Sequence, residues 1–134
     1  MSRAAGVLSA ASFLALGAHI AEDFVEGVYV RFGLTLEAAA WLFGLALFVQ
    51  TVAAMGASHG RRWGLVGVAL FGIGWAIAAA ADHPGAFTRG PFRMGMPSRL
   101  WVWLLVAIQA AAAVTAVVAL VRGRRGALTV GTEG

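Results

Sequence analysis

The chain contains no cysteine. That excludes a disulfide framework, a zinc–thiolate centre and a thiolate nucleophile. It contains no lysine either, and all ten of its basic residues are arginine. Charge of both signs is scarce, at 12% of the residues, where a soluble domain carries about a quarter. No stripe of basic and aromatic residues suggests a nucleic-acid reader, so no nucleic-acid partner is expected despite a net charge of +4. The halves show no two-fold relation, which argues against an internally duplicated transporter. What is present is apolar: 60% of the 134 residues are hydrophobic, and the mean hydropathy is +0.83.

A membrane span needs about 20 apolar residues, and four segments qualify. They run over about 4–26, 36–57, 63–81 and 99–121. Thr35 is the expected N-cap of the second, with Glu37 in its first turn, where a carboxylate suits the helix dipole. Pro84 ends the third, because the residue before a proline avoids helical geometry. Ser98 is the expected N-cap of the fourth. Residues 122–134 read as a short basic tail without fixed structure. The fold class expected is all-α: an integral membrane, antiparallel four-helix bundle, with spans 1–121 forming one domain.

Arginine placement orients it. Arg3, Arg61, Arg62, Arg122, Arg124 and Arg125 fall on one side, and Arg31, Arg89, Arg93 and Arg99 on the other. The excess puts both termini in the cytoplasm of a multi-pass cell-membrane protein. Arg3 ahead of an apolar run also fits a cleaved signal peptide ending near Ala15-Leu16-Gly17. The run is as long as a span, and the spanning reading is preferred. Small residues punctuate the helices, Gly64, Gly67, Gly72 and Gly74 in the third and Ala110 to Ala113 in the fourth. In lipid, close packing of such residues replaces the hydrophobic effect. Self-association through a glycine-rich face, or docking on a membrane partner protein, is therefore expected. The five tryptophans read as an interfacial belt. Gln50 and Gln109, inside spans two and four, read as interhelical hydrogen-bonding groups.

The polar residues are concentrated. His19, Glu22, Asp23 and Glu26 follow one another at i, i+3, i+4 and i+7. At 100° per residue they share one arc about 100° wide on the first helix. His19 and Asp23 are spaced to meet at i, i+4. On the expected topology the segment after span three, beginning at Asp82 and His83, lies at the same side of the membrane. A carboxylate at a helix C-terminus opposes the dipole, so Asp82 needs a partner, from Arg89, Arg93 or His83. The loop from Asp82 to Arg99 is longer than a simple connection requires, and such loops serve as lids or binding elements. His59, beside Arg61 and Arg62, is read as a solvated connector residue.

Clusters of titratable groups in such a setting suit proton transfer. Imidazole with carboxylates is also the ligand set of a hard or borderline metal, but no metal and no cofactor is assigned from the sequence. The function expected is a small membrane enzyme performing acid–base chemistry (isomerisation, cyclisation or hydrolysis) on a lipophilic small molecule at the outer interface. His19, Glu22, Asp23, Asp82 and His83 are the candidate catalytic residues. Glu26, Arg89, Arg93, Phe87 and Trp101 are the candidate substrate contacts. The alternatives are an accessory subunit of a larger membrane complex, and a small oligomeric transporter or channel. Spans two to four carry no interior charge, which weighs against an ion path through one protomer. An enzyme needs the two polar clusters to converge on a cavity, whereas a scaffold needs them only on a surface.

Overall fold

The structure, a computed structural model, describes residues 1–92 and 95–130, apart from the side chains of residues 124–130. Its helices are α1 (Ser2–Val25), α2 (Leu36–Ser58), α3 (Arg62–Asp82) and α4 (Met96–Val130). Two short 3₁₀ turns, Val28–Phe32 and Pro84–Phe87, sit in the first and third connections. No strand occurs among the described residues. All four helices are long and apolar enough to cross a membrane, α4 over Met96–Gly123.

Local chemistry sets the boundaries. α1 stops where Gly27 takes a left-handed φ of 67°, a conformation that costs glycine little. The helix therefore ends before Glu26, which becomes its C-cap. Thr35 caps α2 as its composition suggests, its hydroxyl accepting from the Ala38 N–H at 3.1 Å. α3 runs one residue past the expected end, to Asp82, and yields to Pro84. α4 begins at Met96. Ser98 thus lies inside the first turn instead of capping it, and its hydroxyl is committed elsewhere. α4 also continues beyond Val121 to Val130, where the sequence suggests a tail. Residues 131–134 lie outside the described residues.

α1 packs on α2 and α4, and α3 packs on the same two helices. The early part of α1 meets the late part of α2, where Gly6 lies against Ala54 and Ser58. At this end the core is small: Ala5, Ala53, Ala54, Ala57, Ala69, Ala112 and Ala116, with Leu65 and Val68. Three of the glycines of α3 serve close approach within the protomer. A Cβ at Gly64 would fall on the backbone of Gly56 and Ala57, one at Gly67 on Ala53, and one at Gly72 on the carbonyl of Gln109 and on Ala113. These three glycines are therefore occupied inside the bundle and form no spare face for a second copy. Gly74, in contrast, faces open space.

The other end of the core is larger in grain. Ala15, Leu16, Ile20, Ala79 and Leu105 are joined there by Phe13, Phe24, Phe43, Trp75 and Trp101. Between the two regions a polar staple crosses three helices. The buried Gln50 carboxamide donates to Ser9 Oγ at 3.2 Å and Ser12 Oγ at 3.3 Å, and its oxygen accepts from Trp75 Nε1 at 2.9 Å. Every polar atom of that carboxamide is thus paired, as burial in an apolar medium demands. Trp75 belongs to this staple. Gln109 is equally buried, yet neither its Oε1 nor its Nε2 has a hydrogen-bond partner among the described residues.

Candidate functional site

His19 lies nearly two turns before the end of α1, and Asp23 follows it by four residues on the same face. Their contact is His19 Nε2 to Asp23 Oδ2, 3.4 Å. His83 is the residue immediately after α3, held by the bend into Pro84. That bend turns its ring inward, leaving it only 3% exposed. The two imidazoles meet edge to face, with centroids 4.7 Å apart. Their Nε2 atoms are 3.2 Å apart.

Both carboxylates converge on the same nitrogen. His83 Nε2 lies 3.3 Å from Asp82 Oδ2 and 3.8 Å from Asp23 Oδ1. The partner that Asp82 requires at the helix C-terminus is therefore His83. Phe92 backs the His83 ring edge to face at 6.2 Å. Arg99 lies over the Phe92 ring at 5.7 Å and donates to the carbonyls of Gly90 at 2.6 Å and Gly85 at 3.4 Å. One guanidinium thus ties the loop between α3 and α4 down over the histidine.

The remaining candidates divide. Glu22 belongs to the same stripe as Asp23 but points toward α4, where its Oε2 accepts from Ser98 Oγ at 2.7 Å. A step of about 100° between adjacent residues is enough to send the two acids to different neighbours. Glu26 stands exposed at the end of α1, and Phe87 and Arg89 are exposed in the loop. Arg93 lies outside the described residues. Trp101 is half-buried, packed against the core cluster that includes Leu105 and Ala79. Asp23 and Asp82 are the carboxylates brought to the two histidines.

Beside the cluster lies a cavity of 640 Å³. His19, Asp23 and Asp82 form its polar wall. The rest is apolar and aromatic: Phe24 from α1, Tyr29 and Phe32 from the 3₁₀ turn, Leu42 and Phe43 from α2, and Trp75 from α3. Phe43 stacks on Trp75 at 6.0 Å and meets Phe24 edge to face at 5.7 Å. Phe32 and Leu42 are at the same time exposed on the outer surface, so the cavity is a cleft open to the apolar exterior of the helices. Its size falls within the range of small-molecule sites.

The sequence gives no hint of Tyr29, Phe43 or Trp75 as cleft residues, because an apolar side chain facing a cleft looks like one facing lipid. Ser98 and Arg99 carry a signal of a kind, being polar residues at the start of an apolar helix, but capping and topology account for both without reference to a site.

Comparison of the chain with protein-family models, with curated proteins and with solved structures finds no match.

Proposed function

We infer that the protein is a small integral membrane enzyme that performs acid–base chemistry on a lipophilic small molecule. One observation carries this reading. Two nearly dry histidines and two carboxylates meet within 3.8 Å of one nitrogen, and three of these four residues wall an otherwise apolar cleft. Acid–base partners must both reach one substrate, and this spacing meets that requirement. A docking surface has no need to bury its charged groups, so the burial of His19 and His83 favours the enzyme over an accessory subunit.

The arrangement suits proton exchange. Of two imidazole nitrogens 3.2 Å apart, only one can carry a hydrogen in the contact. The pair therefore offers a donor and an acceptor side by side. In an isomerisation one group removes a proton from the substrate and a neighbour returns one at another atom, so no net proton is consumed. The aromatic cleft would hold an apolar skeleton beside the polar wall. A lipophilic substrate would arrive laterally from the bilayer through the side on which Phe32 and Leu42 are exposed.

The setting that goes with this is a cell membrane crossed four times by antiparallel helices, with both termini cytoplasmic and the His–Asp cluster near the outer interface. Association of copies is part of the reading only through surfaces other than Gly64, Gly67 and Gly72.

The test compares lipid extracts from cells producing the wild type or Asp23→Asn at matched abundance, together with the thermal stability of each purified protein. The expected outcome is one or more apolar metabolites that change with the wild type and not with Asp23→Asn, while stability is kept. Identical profiles, or profiles that follow abundance alone, would overturn the enzyme reading.

A further inference from the structure

We propose that His19, His83 and Asp23 form a binding site for one divalent transition-metal ion of the zinc class, with an open coordination position toward the cleft. The site stands on geometry and does not depend on the chain being an enzyme.

The first ground is distance. One ligand atom from each of the three residues lies within 4.8 Å of the other two. Around a tetrahedral zinc with bonds of about 2.0–2.1 Å, neighbouring ligand atoms sit about 3.3 Å apart. The observed separations are 3.2 Å between the two Nε2 atoms and 3.4 Å from His19 Nε2 to Asp23 Oδ2. The contact from His83 Nε2 to Asp23 Oδ1 is looser, at 3.8 Å. The His19–His83 and His19–Asp23 separations thus match edges of a coordination tetrahedron, while His83 meets the other oxygen of Asp23, so that the set of one atom per residue closes within 4.8 Å.

The second ground is the count of acceptors. His83 Nε2 faces another imidazole nitrogen and two carboxylate oxygens within 3.8 Å. A single N–H can serve only one of them well. The unprotonated nitrogen of a neutral imidazole and an ionised carboxylate are both electron-pair donors, and a metal ion can accept from His19, His83 and Asp23 together.

The third ground is composition. Two imidazoles and a carboxylate suit zinc or a neighbouring first-row divalent ion. Three protein ligands leave a position free, and the cleft is where it opens, since His19 and Asp23 both line it. Asp82, 3.3 Å from His83 Nε2 and also on the cleft wall, stands beside the free position. Phe92, with Arg99 over its ring, packs edge to face on His83 and helps hold that ring in place.

The experiment uses tag-free, full-length protein in detergent, stripped with a chelator and titrated with zinc chloride alone. Bound metal is counted by mass spectrometry after desalting. The expected result is one zinc per protomer. His19→Ala and His83→Ala should each weaken binding roughly 100-fold or more, beyond what loss of an outer-shell partner causes. Asp82→Asn should keep the stoichiometry, and so should His59→Ala, which removes the exposed histidine after α2. Zinc-edge X-ray absorption on the wild type should report two imidazole ligands, and this measurement decides the matter if the alanine variants do not fold. No saturable zinc, zinc retained by the His19→Ala/His83→Ala double variant, or zinc lost with His59→Ala would overturn the proposal. Zinc content is read without turnover. A failed metal site therefore leaves the acid–base reading standing, and an inactive protein can still bind zinc.

Discussion

Two buried glutamines of identical chemistry should respond to the same substitution with opposite signs. Gln50 makes three hydrogen bonds that join α1, α2 and α3. Gln109 is as deeply buried, with no partner for either end of its carboxamide among the described residues. Methionine matches the unbranched shape of glutamine and removes its polar atoms, so the exchange changes hydrogen bonding with little change in packing. Hydrogen bonds between membrane helices average about 0.6 kcal/mol each and reach about 1.7, so three lost bonds amount to about 2 kcal/mol. The Trp75 N–H, stripped of its acceptor in a half-buried place, adds about 1 kcal/mol. Ser12 retains its bond to the Ser9 carbonyl at 2.7 Å and adds little. Gln50→Met should thus destabilise by about 3 kcal/mol. Gln109→Met removes the penalty of an unpaired buried amide, about 1–3 kcal/mol, and should stabilise by about that amount.

The assay is reversible unfolding by sodium dodecyl sulfate in mixed micelles, followed by tryptophan fluorescence for Gln109→Met and by circular dichroism for both. Circular dichroism is needed because Gln50→Met alters the surroundings of Trp75 directly. Equal losses of stability in the two variants would refute the reasoning. The Gln109 carboxamide would then be making bonds as strong as those of Gln50, through an ordered water or an altered side-chain position.

The small-residue end of the core yields a second contrast. Gly64→Ala drives a Cβ onto the backbone of Gly56 and Ala57, where no flexible side chain can give way, so it should cost at least about 2 kcal/mol. Gly74→Ala meets open space and should leave stability unchanged or raise it by up to about 1 kcal/mol; the same unfolding titration reads both. The cleft provides a third. Ala78→Trp places a large ring from an exposed, cleft-lining position and should abolish the wild-type metabolite change while zinc stoichiometry and unfolding midpoint stay as they were. A normal metabolite profile from this variant would mean the cleft does not hold the substrate.

The four helices were legible because each is a long apolar run, and α3 and α2 end within a residue or so of where proline, glycine and capping chemistry place them. The interior faces were not legible. In water, a helix betrays its buried side by a polar opposite side; here Trp41, Leu45 and Phe48 point outward from α2 as exposed residues, and they are as apolar as anything in the core. Nothing in the chain therefore marked Phe43 as a cleft wall or Trp75 as the partner of Gln50. Polar residues escape this ambiguity, because each polar group in an apolar run has to be explained. His19 and Asp23 were readable as a local pair by spacing alone. Their meeting with His83, 64 residues away from His19, rested on counting spans to put both on one side of the membrane. Such counting narrows the neighbourhood to one membrane face and says nothing of a 3.2 Å contact. It could not separate Glu22 from Asp23 either, since the stripe is wide enough to touch two neighbouring helices.

The placement of the cluster at the end of the spans follows from what its groups cost. Gln50 can sit deep in the bundle because a neutral amide is satisfied by three neutral partners. Ionisable groups have no such economy in hydrocarbon, where isolated charge is expensive. At the ends of α1 and α3 the compromise is graded within single residues: the side chain of His83 is 3% exposed, that of Asp23 15% and that of Asp82 29%. The imidazoles are dry enough for electrostatic contacts to be strong, and the carboxylates reach far enough out to exchange protons or ions with water. The cleft approaches the same atoms from the opposite, apolar direction. Under the proposed acid–base reading, a polar reactant from the aqueous side and an apolar one from the bilayer meet at His19 and Asp23. Shielding the aqueous side should then matter as much as filling the cleft. Asp82→Leu, which replaces the most exposed member of the cluster with an apolar cap, should slow zinc uptake by stripped protein in stopped-flow measurements while leaving the final stoichiometry at one. Uptake as fast as in the wild type would place the ions' route elsewhere.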